Sequence, residues 1–350
     1  MIHAPADHTQ AVMYSSSVAD APLIREPLHA PVAHLIRGGV VEGIHYGSVV
    51  VLDAGGAVHF QLGDIEAAFH PRSALKPVQA VAMVRAGLPL DGELLSLTAA
   101  SHSGEERHLA GTRRILELAG LTEDDLRNVP DLPFDPVVRD DWIRDGRMPS
   151  RLAQNCSGKH AAMLYLCKIN GWSLDDYVDP GHPLQQAIAE IVEDLTGQRI
   201  AQVTVDGCGA PLFSISLHGL ARAAARITAA APGTPEARVA DAMREHAEMA
   251  SGSGRDVAAQ MRAVPGLLAK DGFEGVHVAA LPDGRAVAVK IADGASRARV
   301  PVAAAALVRA GVEPERLTEF AGEPLLGGGT PVGCVRPVRA LGPVTLSACA

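Results

Sequence analysis

The chain has 350 residues, 47% of them hydrophobic, which is enough to bury a sizeable core in one large domain or two modest ones. Its formal net charge of −9 includes no basic run, which argues against a phosphate-backbone partner, and at 3% aromatic it has too few rings for a single-strand stacking platform.

In chain order, residues 1–30 show no clear period and read as a loose tail. From 32 to 61, β-branched runs broken by Gly-Gly pairs read as strands and a hairpin. Helical periodicity starts at Ser73 and runs to "MVRAGLP", where Gly87 and Pro89 stop it; Pro77 falls early enough to be tolerated. "GEERHLAGTRRILELAG" is a helix ended by Gly120, and Thr122 with Asp125 forms an N-terminal capping pattern just after it. Residues 129–150, rich in Pro and Asp, read as a long loop.

"SGKHAAMLYLCKING" is a helix closed by Asn170-Gly171, and "HPLQQAIAEIVEDLTG" another with Pro183 in its first turn. "AQVTVDGCGAP" is a short strand and turn, followed by helices at about 211–227, 235–248 and 255–263. Strands return in "LLAKDGFEGVHVAALPDGRAVAVKIADG", with a hairpin at Asp283-Gly284. "SRARVPVAAAALVRAGV" is a helix ending at Gly311, and the Gly/Pro-rich C-terminal stretch ends in a short strand. This order predicts an α/β chain of α+β type: an antiparallel sheet joins early and late strands, helices flank it, and the middle segment forms a helical lobe. The cleft between sheet and lobe is the default pocket.

No run approaches the roughly 18 apolar residues of a membrane span. The N-terminus lacks a basic region followed by an apolar one. Cys156, Cys167, Cys208, Cys334 and Cys349 are too scattered for a secreted disulfide framework. A soluble protein of the reducing cytoplasm is the expectation.

Lysine is scarce: Lys76, Lys159, Lys168, Lys270 and Lys290 stand among 31 basic residues. A lysine can lose its proton and act as a base where arginine cannot. Ser73 precedes Lys76 by three residues at a helix mouth, the spacing of a serine nucleophile and its base. The competing reading is a capping serine beside a solvated lysine. "TAASHSGEERH" gathers Ser101, His102, Ser103, Glu105 and His108 before a helix, with Ser103 as the expected cap. Nothing there places an acid behind a histidine as a Ser-His-Asp triad requires.

Lys270-Asp271-Gly272 resembles the Lys-x-Gly strand of serine acyltransfer enzymes; alone, it reads better as a surface turn at Asp271-Gly272. Cys156 and Cys208, with Asp206, stand at Gly-containing turns where two sulfurs and a carboxylate suit a soft metal. The same cysteines could instead be small buried residues, or Cys156 a nucleophile activated by Lys159. Lys159 could also hold an anionic substrate group at its helix N-terminus.

Taken together, "RGGVVEGIHYGSVVVLDAGG", "FHPRSALKPVQA", "ASHSGEERH", "NCSGKHAAML", "VDGCGAPLFSISL" and "AKDGFEGVHVAALPDG" resemble the bacterial L-asparaginase II family of the Rhizobium etli type, over roughly residues 32–345. The resemblance implies a serine β-lactamase and penicillin-binding-protein-like fold. Residues 31–350 would form one catalytic domain, its helical lobe at about 95–265 and its sheet from 32–61 and 266–350. It implies hydrolysis of L-asparagine to aspartate and ammonia through two Ser–Lys pairs, Ser73 with Lys76 and Ser101 with Lys270. It also implies zinc at Cys156, Lys159 and Cys208, substrate contacts from Lys159 and Asp206, no cofactor needed for the chemistry itself, and a homodimer. Gly43 departs from the serine expected after the Glu of "VVEG". Other amidases, esterases, glutaminases or β-lactamases of the same fold are the rival enzymes, and an amino-acid sensor is the rival non-enzyme.

Overall fold

The structure, a computed structural model, describes residues 25–342. Most of the expected tail, and Cys349, lie outside the described residues. The chain begins with β1 (Ala30–Arg37), β2 (Val40–Leu52), β3 (Val58–Leu62) and the short β4 (Ala68–Phe69). A 3₁₀ turn at Arg72–Leu75 leads into α1 (Lys76–Arg85), then α2 (Gly92–Thr98), α3 (Glu106–Leu118), α4 (Pro136–Arg144), α5 (Ser157–Asn170) and α6 (Pro183–Thr196). Short strands β5 (Val203–Val205), β6 (Pro211–Phe213) and β7 (Ile215–Ser216) precede α7 (Leu217–Thr228), α8 (Pro235–Glu245), α9 (Ala247–Ala250) and α10 (Asp256–Ala263). The chain then returns to strands with β8 (Leu268–Gly272), β9 (Val276–Ala280) and β10 (Ala286–Ile291), followed by α11 (Ser296–Arg309), β11 (Glu323–Gly327) and β12 (Thr330–Pro337).

The main sheet is antiparallel in the order β11-β12-β1-β2-β10-β9-β8, with β3 also on β2. Early and late strands therefore share one sheet, as the sequence order predicts. Strand β2 pairs with β1 from Val40 to Gly47, with β10 along Gly47–Leu52 and with β3 along Val49–Leu52, so the sheet curls around it. Val49–Leu52 and Val276–Ala280 are buried at every position, without alternation. Such runs need both faces covered. Helices α7 and α11 both pack against β2, β9 and β10 and supply that cover. The fold is the α/β class of the serine β-lactamase-like enzymes, a curled antiparallel sheet flanked by helices.

Two local expectations change. The long loop at 129–150 contains α4: the Asp135 carboxylate accepts from the Val137 and Val138 N–H groups, and Pro136 opens the helix. These are helix-start signals, and the surrounding Pro and Asp obscured them. The helix expected over 211–227 begins at Leu217, because 211–216 are taken by β6 and β7; Ser216 caps it by accepting from Gly219 N–H at 3.0 Å. Thr122 and Asp125 form the expected capping box, around a 3₁₀ turn at Glu123–Asp125.

Candidate active site

The site is built where edge strand β8 meets the turn before α1. A Cβ on Gly272 would stand 2.4 Å from the Pro71 carbonyl and 3.2 Å from Ala74 N, so only glycine lets strand and turn approach this closely. Arg72, just before Ser73, has φ 51°. Glu274, just beyond β8, has φ 62°, and it is the one other non-glycine residue with positive φ among the described residues. Each such conformation costs on the order of 1–3 kcal/mol and persists only where surrounding structure imposes it. Both flank a cleft of about 680 Å³ lined by Ser73, Ser101, Asn155, Arg255, Asp271 and Gly272, among others.

Ser73 and Ser101 thus open on one cleft, one from the 3₁₀ turn and one from the loop after α2. Lys76 is the first residue of α1 and is buried with Pro77 behind it. The solvated-lysine reading is therefore excluded. Its amine donates to the Ala100 carbonyl, to Ser101 Oγ at 3.1 Å and to Cys156 Sγ at 3.0 Å. The lysine's hydrogen-bond partners thus come from segments far from it in sequence, with Ser101 in the place expected for Ser73.

Lys270 on β8 is fully buried. Its amine donates to the Asp271 carbonyl at 2.8 Å and Asp271 Oδ1 at 2.6 Å. Burial, aided by Lys76 and Arg255 and opposed by Asp271, pulls Lys270 down to about 8. Asp271 is not in a surface turn: it lies on the buried strand β8, its Oδ2 accepting from Arg255 Nη2 at 2.7 Å. Its carboxyl stays well below the usual range because Lys270, Arg255 and Arg299 outweigh its burial.

Behind Lys76 lies a sulfur–amine cluster. The Cys156 thiol donates to Asn155 Oδ1 at 3.1 Å. The neighbouring Cys208 and burial push Cys156 up to about 12, while Cys156 and Lys159 outweigh burial and hold Cys208 well below the usual thiol range. Lys159 donates to Cys208 Sγ at 3.5 Å. Burial pulls Lys159 down, but Cys208, Cys156 and Asp206 prevail and keep it above its ordinary value. Asp206 accepts from Arg72 Nε at 2.7 Å. Burial raises it, and Lys159 and Arg72 more than reverse that. The raised proton affinity of Cys156 runs against its reading as a nucleophile.

Among the described residues, no three His, Cys, Asp or Glu gather closely enough to hold a metal ion. Cys156, Lys159 and Cys208 do meet, and two sulfurs with an amine are a soft donor set.

The histidines play other parts. His102 Nε2 lies 2.8 Å from Ser157 Oγ, and burial holds its ring well below the usual imidazole range. It stacks on His108 at 5.1 Å, and His108 Nε2 meets the Glu248 carbonyl. Ser103 is not the cap of α3; that position is Glu105, and Ser103 Oγ is buried without a partner. Arg72, Asn155, Arg255 and the carboxylate of Asp271 are site residues that sequence reasoning missed. The one available signal was the acid beside Lys270.

A family model described as L-asparaginase II matches residues 33–337. No curated protein matches the chain. Among solved structures, a native form of Mglu is 17% identical at TM-score 0.40; the match covers 75% of this chain, which spans 63% of that one. EstCE1, a hydrolase with promiscuous acyltransferase activity, is 14% identical at TM-score 0.40, covering 79% of this chain and 93% of that one. A β-lactamase-titled structure from Bacteroides dorei is 15% identical at TM-score 0.42, covering 75% and 92%. The family match spans the sheet from β1 to β12 and every segment lining the cleft. The chain belongs to the L-asparaginase II family.

Proposed function

We propose that the enzyme is an L-asparagine amidohydrolase, of the Rhizobium etli type of that family, that works through an acyl-serine intermediate. The observation that carries this reading is the shared cleft: two serines open on it, and two buried lysines stand behind them. In this reading Ser73 attacks the side-chain amide carbon and its proton passes to Lys76. Lys76 also holds Ser101, so the proton can move through Ser101 to the leaving ammonia. Backbone N–H groups at Ser73 and on β8 would receive the oxyanion, helped by the N-terminus of α1. Lys270 would then accept a proton from the water that releases aspartate. Lys159 and Asp206 would hold the amino-acid end of the substrate.

Zinc would be held by Cys156, Lys159 and Cys208, where it would fix the amino-acid end of the substrate. The reading extends to residues 31–350 as one catalytic domain and to a cytoplasmic homodimer, without nucleic-acid or membrane partners.

The test is ammonia release from L-asparagine and L-glutamine by wild type and Ser73→Ala. Substantial turnover in Ser73→Ala would sink Ser73 as the nucleophile. One observation favours a second reading: Lys76 lies on Ser101 Oγ, so Ser101 is the alternative nucleophile. Mass spectrometry of the quenched enzyme, locating the acyl group on one serine or the other, separates the two.

A further inference from the structure

The Asp271 carboxylate is placed between two cations, and each of its oxygens serves one of them. Oδ1 lies 2.6 Å from Lys270 Nζ, and Oδ2 lies 2.7 Å from Arg255 Nη2. Both hydrogen-bond acceptors of Lys270 belong to Asp271. Arg255 is itself fixed, with its guanidinium carbon 4.5 Å above the Phe134 ring. Its Nη1 is buried without a partner, so the guanidinium is committed to Asp271. The Arg255 and Asp271 side chains are only 14% and 12% exposed, so solvent does not screen the pair as it would a surface bridge.

A buried lysine alone with one carboxylate keeps its proton. A second cation on that carboxylate weakens the hold. The other charged or titratable groups around Lys270 are Lys76 from α1, His277 on β9 opposite Asp271, Asp256 at the start of α10, and Arg299 from α11. Burial first, then Arg299, pulls His277 down to about 3, so it brings no charge. Arg299 is occupied by Asp256. Arg255 is therefore the cation that competes directly for Asp271.

We propose that Asp271 and Arg255 are positioning residues for Lys270: the carboxylate fixes the amine beside the cleft, and the guanidinium limits how much of the carboxylate's charge the amine feels. This rests on the reading of Lys270 as a proton-transfer group.

The test uses the full-length protein labelled with ¹³C-lysine, whose few lysines give a readable spectrum, with the Lys270 signal assigned by its loss in Lys270→Arg. Arg255→Gln is expected to raise the Lys270 titration midpoint by about one pH unit, and Asp271→Asn to lower it by about one. The corresponding limb of kcat/KM for asparagine should move in the same two directions. Arg255→Lys keeps the cation and should titrate close to wild type; it and Asp271→Glu carry the test if the first variants do not fold. Midpoints that stay put, or that move the same way in both variants, overturn the proposal. A wild-type enzyme inert towards asparagine would sink the functional reading instead, and the lysine titration would still decide this one.

Discussion

Lys76 Nζ lies 3.1 Å from Ser101 Oγ and 3.0 Å from Cys156 Sγ. One amine thereby joins the cleft to the sulfur cluster behind it. A proton taken at the cleft and a change at the sulfurs are felt by the same nitrogen.

Lys76→Met keeps most of the side-chain bulk and removes the amine proposed as the base. Turnover should fall by about 10²–10⁴-fold, the usual weight of a positioned acid–base group. The far-ultraviolet circular dichroism should be unchanged. Turnover within a few-fold of wild type would remove Lys76 from the mechanism.

Lys270 is held at about 8. A lysine that must be neutral to accept a proton works above its own pKa. The rate of deacylation should therefore rise with pH and level off above about 8. Single-turnover kinetics across pH 6–10 would show it. A rate that falls through this range contradicts the role given to Lys270.

Much of this was legible in the sequence, because it was local. Caps, glycine stops and alternating runs marked α3, α5, α6 and the β9–β10 hairpin, and strand order gave the shared sheet. Ser73 and Lys76 were legible as a pair from their spacing, and the family resemblance paired Ser101 with Lys270; the hydrogen bond from Lys76 to Ser101 was not legible. The partners of Lys76 come from residues 100, 101 and 156, and only tertiary packing brings them together. Asp271-Gly272 looked like a turn because Asp-Gly usually is one. Here Gly272 is a point of close approach, and Asp271 is balanced by an arginine 16 residues earlier.

Cys156 and Cys208 should not be equivalent. Cys208 Sγ accepts from the buried Lys159 and its thiol is shifted down, whereas Cys156 donates to Asn155 Oδ1 and is pushed up. Cys208→Ser removes the sulfur on which the buried Lys159 amine lies, leaving Asp206 as its nearby carboxylate, at a cost of about 3 kcal/mol. Cys156→Ser replaces one neutral donor by another and should cost about 1 kcal/mol. Urea unfolding in the presence of EDTA measures both, and equal losses would show that the two sulfurs do not differ as described. The proposed zinc site predicts that zinc content, read by mass spectrometry, falls in both variants.

Two glycine substitutions separate the site from the scaffold. Gly272→Ala places a methyl group 2.4 Å from the Pro71 carbonyl, so strand β8 or the Ser73 turn must move. The expected cost is about 1–3 kcal/mol in stability, as for other overpacked positions. The loss of turnover should be larger than that implies, because the displaced turn carries Ser73 and a misplacement of about 1 Å can cost 10²-fold. At Gly43, where the family resemblance leads one to expect serine, an added Cβ meets only Leu35 Cβ at 3.6 Å, an ordinary contact. Gly43→Ser should therefore change stability by no more than about 0.5 kcal/mol and leave turnover intact. Thermal unfolding and asparagine kinetics on both variants decide the matter. If Gly43→Ser harms turnover as much as Gly272→Ala, the close contact of strand and turn is not what positions the nucleophile.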